Sequence, residues 1–532
     1  MKKIRDLFKN RINKNLKKVV FYNLLTLIIA ISFAFFSVQL IPMNNATDVK
    51  FEVYSTLIII FIVVYIIGEK ILEKFWTTIK TNKISGLLSL FFSACIIRKA
   101  EFTKAYIIYW MIPKDMINIF SHKIYLIATL ACYILTTIIF SAILNYLQNL
   151  IKESTKEEKR IIIILSVIGL LAITIVYGFN QNFFLQYDKI YSMDSGWVHS
   201  GIYSQLNYYD IRHPLLSIFY FPIWAIVETT INVIFGVSQI TTIIKTVIFQ
   251  FINFELLLMI GIYLKKITKN NNVFMLYMVS FPTLLYTLFF EKYQLCVFLI
   301  VYYVYSVCLN KHREVTFLSS VGSMPTSGII GISELFTKEK FKSKIKMIIK
   351  IGISCFLLTI FLGRIHIFKY GFDEAINLKD RFSNTSLNIE EKIYSSLNMT
   401  QSTLIGLNSE IVNGKYLWKD LTTHFSVIGI VIIVISLIGF FAQRKKIIAK
   451  ISLLWETFAF VLFIILNWST HESPLFNLYF SWAFITLFVF GMDFILDKIK
   501  IDKKKFYIML SFVILIINTI FLINIYNFLT TF

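Results

Sequence analysis

Three aspartates, two histidines and an arginine crowd one polar stretch of this sequence, Tyr187 to Leu215 (YDKIYSMDSGWVHSGIYSQLNYYDIRHPL), which lies between long apolar runs. The residues with chemical potential are Asp188, Asp194, Asp210, Arg212 and His213. A carboxylate can serve as general base towards a hydroxyl or amine. An arginine can clamp a phosphate with paired hydrogen bonds. Three further polar points recur between apolar runs: Glu291-Lys292-Tyr293, then Arg364 with His366, then His471 and Glu472 within NWSTHESPLFN (Asn467 to Asn477). Acids beside cations at a membrane–water boundary suit a substrate with an anionic head and a lipid tail. No motif has metal-ligand spacing, although the scattered acids leave a divalent cation open as a cofactor.

The elements that must position these residues are apolar helices. Of 532 residues, 57% are hydrophobic, mean hydropathy is +0.70, and runs long enough to cross ~30 Å of hydrocarbon recur along the chain. The expected fold class is an all-α polytopic membrane protein. Val19 to Leu40 is too long for a signal-peptide core and lacks a small-residue cleavage site, so it reads as a retained helix. The net charge of +22 does not point to nucleic acid. Lys and Arg gather in short clusters between apolar runs, the pattern of cytoplasmic loops, and no basic-aromatic nucleic-acid module is present. Cys95, Cys132, Cys296, Cys308 and Cys355 all fall in apolar segments and read as small core residues. Richness in Ile, Lys, Asn and Phe fits an AT-rich bacterial genome.

Charge bias then sets a topology. The basic N-terminus, MKKIRDLFKNRINKNLKK, is expected in the cytoplasm of a multi-pass cell-membrane protein. Residues 1–160 form N-terminal transmembrane helices of no evident role, including the short run Ile84 to Ile97. Ile161 to Tyr177 runs outward, which places the Tyr187–Leu215 stretch outside. Ile240 to Tyr263 must cross inward, Val273 to Phe289 outward and Tyr293 to Leu309 inward. Leu216 to Phe235 is left with no net crossing and reads as juxtamembrane helices at the outer interface. Phe317 to Phe336, with Pro325 at its centre and basic segments on both flanks, reads as a re-entrant pair of half-helices. Residues 161–532 thus form a core with outer loops at 181–238 and 363–424, and about 13 crossings in all.

Asp194 near the start of the first large outer loop, followed eighteen residues on by Arg212-His213-Pro214-Leu215, resembles the GT-C superfamily of integral-membrane glycosyltransferases. Protein O-mannosyltransferases and lipid A aminoarabinose transferases belong to that superfamily. The resemblance covers the chain from about Ile161 onward. It implies a sugar donor carried on polyprenyl phosphate, with Asp194 as catalytic base and Arg212 holding the lipid phosphate. It also implies substrate-binding roles for His213, Asp210, Glu291, Tyr293, Arg364, His471 and Glu472, and a glycan, lipid or protein acceptor. Two departures stand out: Ser195 replaces the second acid of the usual pair, and His213 replaces one proline.

Plainer roles stand beside these. Asp188 fits a solvated loop residue, Trp197 an interfacial anchor, His213 a helix cap, and Arg364 and His366 helix-end residues. A lipid-linked polysaccharide polymerase or ligase would share the long outer loop but lean on arginines. A flippase or transporter should carry charges within its spans, where Glu255 and Glu456 are the main instances.

Overall fold

The computed structural model describes residues 16–39, 49–81, 83–99, most of 133–149, 154–191, 193, 210, 212–361, 365, 367–383 and 387–532. Helices of eight or more residues are numbered here in chain order. They begin with α1 Leu16–Gln39, α2 Val49–Thr81, α3 Lys83–Lys99 and α4 Lys156–Phe179. Next come α5 Leu216–Phe235, α6 Gln239–Thr268, α7 Asn271–Val279, α8 Phe281–Leu288, α9 Tyr293–Leu309 and α10 Arg313–Ser323. After a 3₁₀ segment at Pro325–Phe336 follow α11 Phe341–Phe361, α12 Ile367–Phe382 and α13 Ile389–Ser402. A two-stranded hairpin, β1 Ser409–Val412 with β2 Lys415–Trp418, precedes α14 Val427–Gln443, α15 Ile447–Phe460, α16 Asn477–Ile499 and α17 Lys503–Leu529.

Among the described residues, six helical segments are long and apolar enough to cross a membrane: Lys156–Phe179, Leu216–Phe235, Ile240–Thr268, Ile447–Ile465, Glu472–Ile499 and Lys503–Leu529. Shorter apolar helices include Val53–Gly68, Gly86–Ile96, Tyr293–Leu309 and Val427–Gln443. α4 exposes Ile164, Ile168, Leu171 and Ile175, and α17 exposes Ile508, Phe512, Ile516 and Ile520. Apolar strips at helical spacing facing outward mark lipid-facing surface, since water would not tolerate them in such continuity. The fold is all-α and membrane-embedded.

Local sequence sets the helix ends. Thr155 and Glu158 form a capping box at the start of α4, as Ser238 and Thr241 do at α6 and Asn388 and Glu391 at α13. Lys269, Asn310 and Lys500 close α6, α9 and α16 in the left-handed conformation.

Side-chain contacts give the relative directions. Phe249 packs on Phe290 just before α9, and Tyr263 stacks on Tyr302 and Tyr305 further along, so α6 and α9 run in the same sense. Lys265 pairs with Glu158 at 3.4 Å, setting α4 against α6. α14 and α16 approach most closely. A Cβ on Gly439 would lie 2.0 Å from the Leu487 carbonyl, and one on Gly491 equally close to that of Ile435.

Where helices break, buried amides cap the released carbonyls. Gln250 Nε2 donates to the carbonyls of Tyr286, Thr287 and Phe289 at the end of α8, and Gln294 donates to Tyr286 and Phe289. Asn518 of α17 donates to Val279 and Leu404 and accepts from Gly406 N–H.

Three expectations change. Leu216–Phe235 is one continuous helix with Pro222 inside it, where juxtamembrane helices were expected. It folds back on α6, with Lys245 Nζ donating to Asn232 Oδ1 at 3.2 Å. The expected crossing Val273–Phe289 is split at Ser280, because Pro282 starts a new helix there. Residues 363–424 are not a plain loop but carry α12, α13 and the β-hairpin. Of the roughly 13 crossings expected, six candidate spans meet the length and composition requirement among the described residues.

The Phe317–Phe336 segment does form a hairpin. α10 leads to an apex at Met324, and the 3₁₀ segment returns so that Arg313 meets Glu334 and Glu339, each at 2.5 Å. Ser320 and Ser327 join its two limbs at 2.8 Å.

The α14–α16 contact generates a prediction. Gly439→Ala or Gly491→Ala forces the two backbones apart and should destabilise the protein by about 1–3 kcal/mol. Thermal unfolding in detergent should show a clear drop for each, while Gly352→Ala, whose added methyl meets nothing within 4 Å, should leave the transition unmoved.

Candidate functional site

The turn before α5 is built from its own side chains. Asp210 Oδ1 accepts from the Arg212 backbone N–H at 2.9 Å, and His213 N–H donates to the Asp210 carbonyl at 2.8 Å. This Asx-type turn brings the Arg212 guanidinium back onto the same carboxylate. Nε donates at 3.1 and 3.2 Å to the two oxygens, and Nη2 at 2.9 Å to Oδ2. The turn then docks on the hairpin apex. Leu215 N–H donates to the Gly322 carbonyl at 2.8 Å, and His213 Nδ1 lies 2.8 Å from the Ser323 carbonyl. Gly322 is required there, since a Cβ would sit 2.3 Å from Leu215 Cδ1. Because a carbonyl only accepts, the proton is on Nδ1, and the neutral ring keeps an acceptor lone pair at Nε2.

Two other polar points converge on this turn. Lys292 is 2% exposed and Glu291 fully buried, at the start of α9. The Lys292 charge acts on both Asp210 and His213. From α12, Phe382 lies under Arg212, with 5.4 Å from Cζ to the ring centre, and Arg381 lies 5.7 Å from the same ring. Phe382 also stacks on Trp468, and its carbonyl accepts from Ser469 N–H at 2.8 Å. Ser469 and Asn467 both take left-handed backbone (φ 41° and 56°), holding the following Thr470–Phe476 3₁₀ turn in place. That turn returns to α9 through Phe476, which packs on Tyr293. Ser395 of α13 ties it down through hydrogen bonds to Thr470 and Ser473.

Burial pushes Asp210 up, but the Arg212 hydrogen bonds and charge outweigh it and hold the carboxyl at about 2. His213 moves the other way from its neighbours' expectation: burial first, then the Lys292 charge, lower it to about 3, against the opposing pull of Asp210. At neutral pH the turn therefore carries an ionised aspartate locked to a cation and an uncharged imidazole. Asp210 is an orienter of Arg212 in this geometry and is not available as a base.

The sequence-predicted residues divide as follows. Asp210, Arg212, His213, Glu291, Tyr293 and Glu472 belong to segments brought together around one turn. The backbone of His471 lies in the Thr470–Phe476 turn. Asp194 and Arg364, with Ser195, Trp197 and His366, lie outside the described residues. The residues leading to Asp194 are fixed: Tyr191 N–H donates to the Tyr416 carbonyl at 2.9 Å, and its ring stacks on Trp418 at 4.0 Å. Met193 is buried. The long 363–424 segment thus holds the polar stretch at both ends, by its hairpin at Tyr191 and by Phe382 at Arg212.

Sequence reasoning assigned no site role to Lys292, Arg381, Phe382 or Ser323. Lys292 has a signal, a cation wedged between apolar runs; Phe382 and Ser323 have none, since their roles arise from contacts across more than a hundred residues, and Arg381 enters only through the neighbouring Phe382 ring. Among the described residues no three His, Cys, Asp or Glu side chains gather as a metal site. Comparison of the chain with family models, with curated proteins and with solved structures gave no match.

The pH dependence follows with a definite sign. His213 has a lowered folded pKa, so the unfolded chain takes up its proton first as pH falls. Its stabilising contribution is complete above its ordinary 6.5 and is lost progressively from there towards about 3. Asp210 loses its own contribution lower, between its ordinary 3.8 and about 2. Unfolding temperature in detergent should therefore fall between about pH 6.5 and pH 4 in the parent protein and fall less steeply in His213→Asn.

Proposed function

We propose that this protein is a membrane glycosyltransferase that moves a sugar from a polyprenyl-phosphate donor to a cell-envelope acceptor at the outer face of the membrane. The observation that carries this reading is the fixed cationic turn at the foot of an apolar helix: Arg212, held by Asp210 and Phe382, beside buried Lys292. A preplaced guanidinium of this kind suits a leaving phosphate on which charge develops. Asp194, one residue beyond buried Met193, is the proposed base for the acceptor.

Depth agrees with this use. Gln250 caps the carbonyls just before Glu291, and the basic end of α6 at Lys265 to Lys269 follows fifteen to nineteen residues later. At 1.5 Å per residue that separation is roughly 22 to 28 Å, close to one hydrocarbon thickness. If the basic clusters are cytoplasmic, the turn lies near the opposite interface, where a lipid-borne phosphate resides. The proposed arrangement keeps the N-terminus inside and about 13 crossings, with the resemblance to GT-C enzymes supplying the sugar chemistry.

A second reading, a lipid-linked polysaccharide polymerase or ligase, is favoured by Arg381 sharing the Phe382 ring with Arg212. One assay separates the two: transfer from labelled polyprenyl-phosphate sugars by the purified protein in vesicles. Under the first reading Arg212→Ala lowers turnover roughly 100-fold and Asp194→Asn abolishes it. Full transfer by Asp194→Asn removes that residue from catalysis, and loss with Arg381→Ala alone favours the second reading.

A further inference from the structure

The helix that ends at Phe382 has three distinct sides. Ile367, Tyr370, Gly371, Glu374, Leu378 and Phe382 recur at helical spacing and are half-buried towards the protein. Phe368, Phe372 and Ile376 form a second strip, each four residues from the last, and stand 54%, 78% and 44% exposed. Asp373, Asn377 and Asp380 form a third strip, exposed and polar. A helix in water has no use for the second strip, and a helix inside hydrocarbon would not accept the third.

The apolar strip also continues an outward apolar strip on the preceding helix. Ile349, Ile353 and Phe356 face outward on α11, and Phe356 meets Phe368 with ring centres 5.0 Å apart. The outward face of α11 therefore turns without interruption onto the outward apolar strip of α12. Buried Ile360 and Ile365 fix the corner between the two helices.

We infer that α12 is a membrane-surface helix, with Phe368, Phe372 and Ile376 seated among the acyl chains and Asp373, Asn377 and Asp380 in the headgroup water. Its occupant is the bilayer itself, not a protein partner. Sixteen residues of helix carry the chain roughly 24 Å along the surface, from the end of α11 to the ring beneath Arg212. Seating α12 in the bilayer thus fixes the height of Phe382, and with it the Arg212–Arg381 pair, at headgroup level. The inference rests on the exposed strip and its continuity with α11, and does not depend on the reaction proposed above.

Photocrosslinking in native membranes tests it. p-Benzoylphenylalanine replaces Phe372, Ile353 or Asn377 one at a time in the full chain, and adducts are resolved by mass. The expected result is a lipid adduct at 372 comparable to that at 353 and about fivefold or more above that at 377, as a helix with one face in the acyl region requires. A protein adduct at 372, from a second copy or another chain, overturns the inference. So does a lipid adduct at 353 without one at 372, or equal lipid adducts at 372 and 377, which would place the helix in water or wholly within hydrocarbon.

Discussion

A backbone carbonyl freed from a helix inside an apolar bundle has no water to turn to, and the protein must supply its partner. That constraint governs this fold because so many of its helices are interrupted. The chain breaks at Ser280, at Phe289, at Met324 and at Leu466, and each break would cost several kcal/mol per unpaired group if left bare. Amide side chains from other helices answer the need. Gln250 covers three carbonyls at the end of α8, Asn518 bridges Val279 and Leu404, and Asn477 donates to Ser402. Each such amide fixes two or three elements at once, so the interruptions make the bundle more specific in its packing.

The candidate site is a product of the same constraint. The turn before α5 is non-helical, and it persists because the hairpin apex gives it two carbonyls, at Gly322 and Ser323. The apex is in turn held by Arg313 reaching Glu334 and Glu339 at the far end of the hairpin. The hairpin thus has a definite structural purpose: it brings backbone acceptors to the depth at which His213 needs one. Replacing His213 by an apolar residue of similar size would leave the Ser323 carbonyl with only the weak Cys296 thiol contact at 3.5 Å.

What was legible beforehand follows physical lines. Charges between apolar runs are costly wherever they occur, so Arg212, His213 and Glu291 announce themselves in the sequence alone. Helix ends with capping residues, such as Thr155 and Ser238, are equally visible because their partners lie three residues away. Phe382 is different: an aromatic in a polar stretch carries no mark of the arginine it will meet 170 residues earlier. The character of α5 misled for another reason. Counting basic clusters constrains only net crossings, and one continuous 20-residue helix without a net crossing satisfies the count as well as several short interfacial helices do. The polarity of 363–424 concealed two helices and a hairpin, since amphipathic elements at a surface have no run of apolar residues to betray them.

The electrostatic consequence lies in how Arg212 is held. A guanidinium on a free side chain loses rotamer entropy and sheds water each time it meets an anion. Here those losses fall on folding. The backbone turn aims the side chain, two oxygens of Asp210 take Nε and Nη2, and Phe382 closes one face. Arg212 still keeps about a third of its side-chain surface exposed, at 35%. Asp210 neutralises one positive charge of the pair formed by Arg212 and Lys292, and the uncharged imidazole of His213 adds none. Lys292 stands beside this turn, sealed from solvent together with Glu291 in consecutive positions at the head of α9. Under the proposed function, a lipid-borne phosphate would meet an arginine whose orientation the fold has already set.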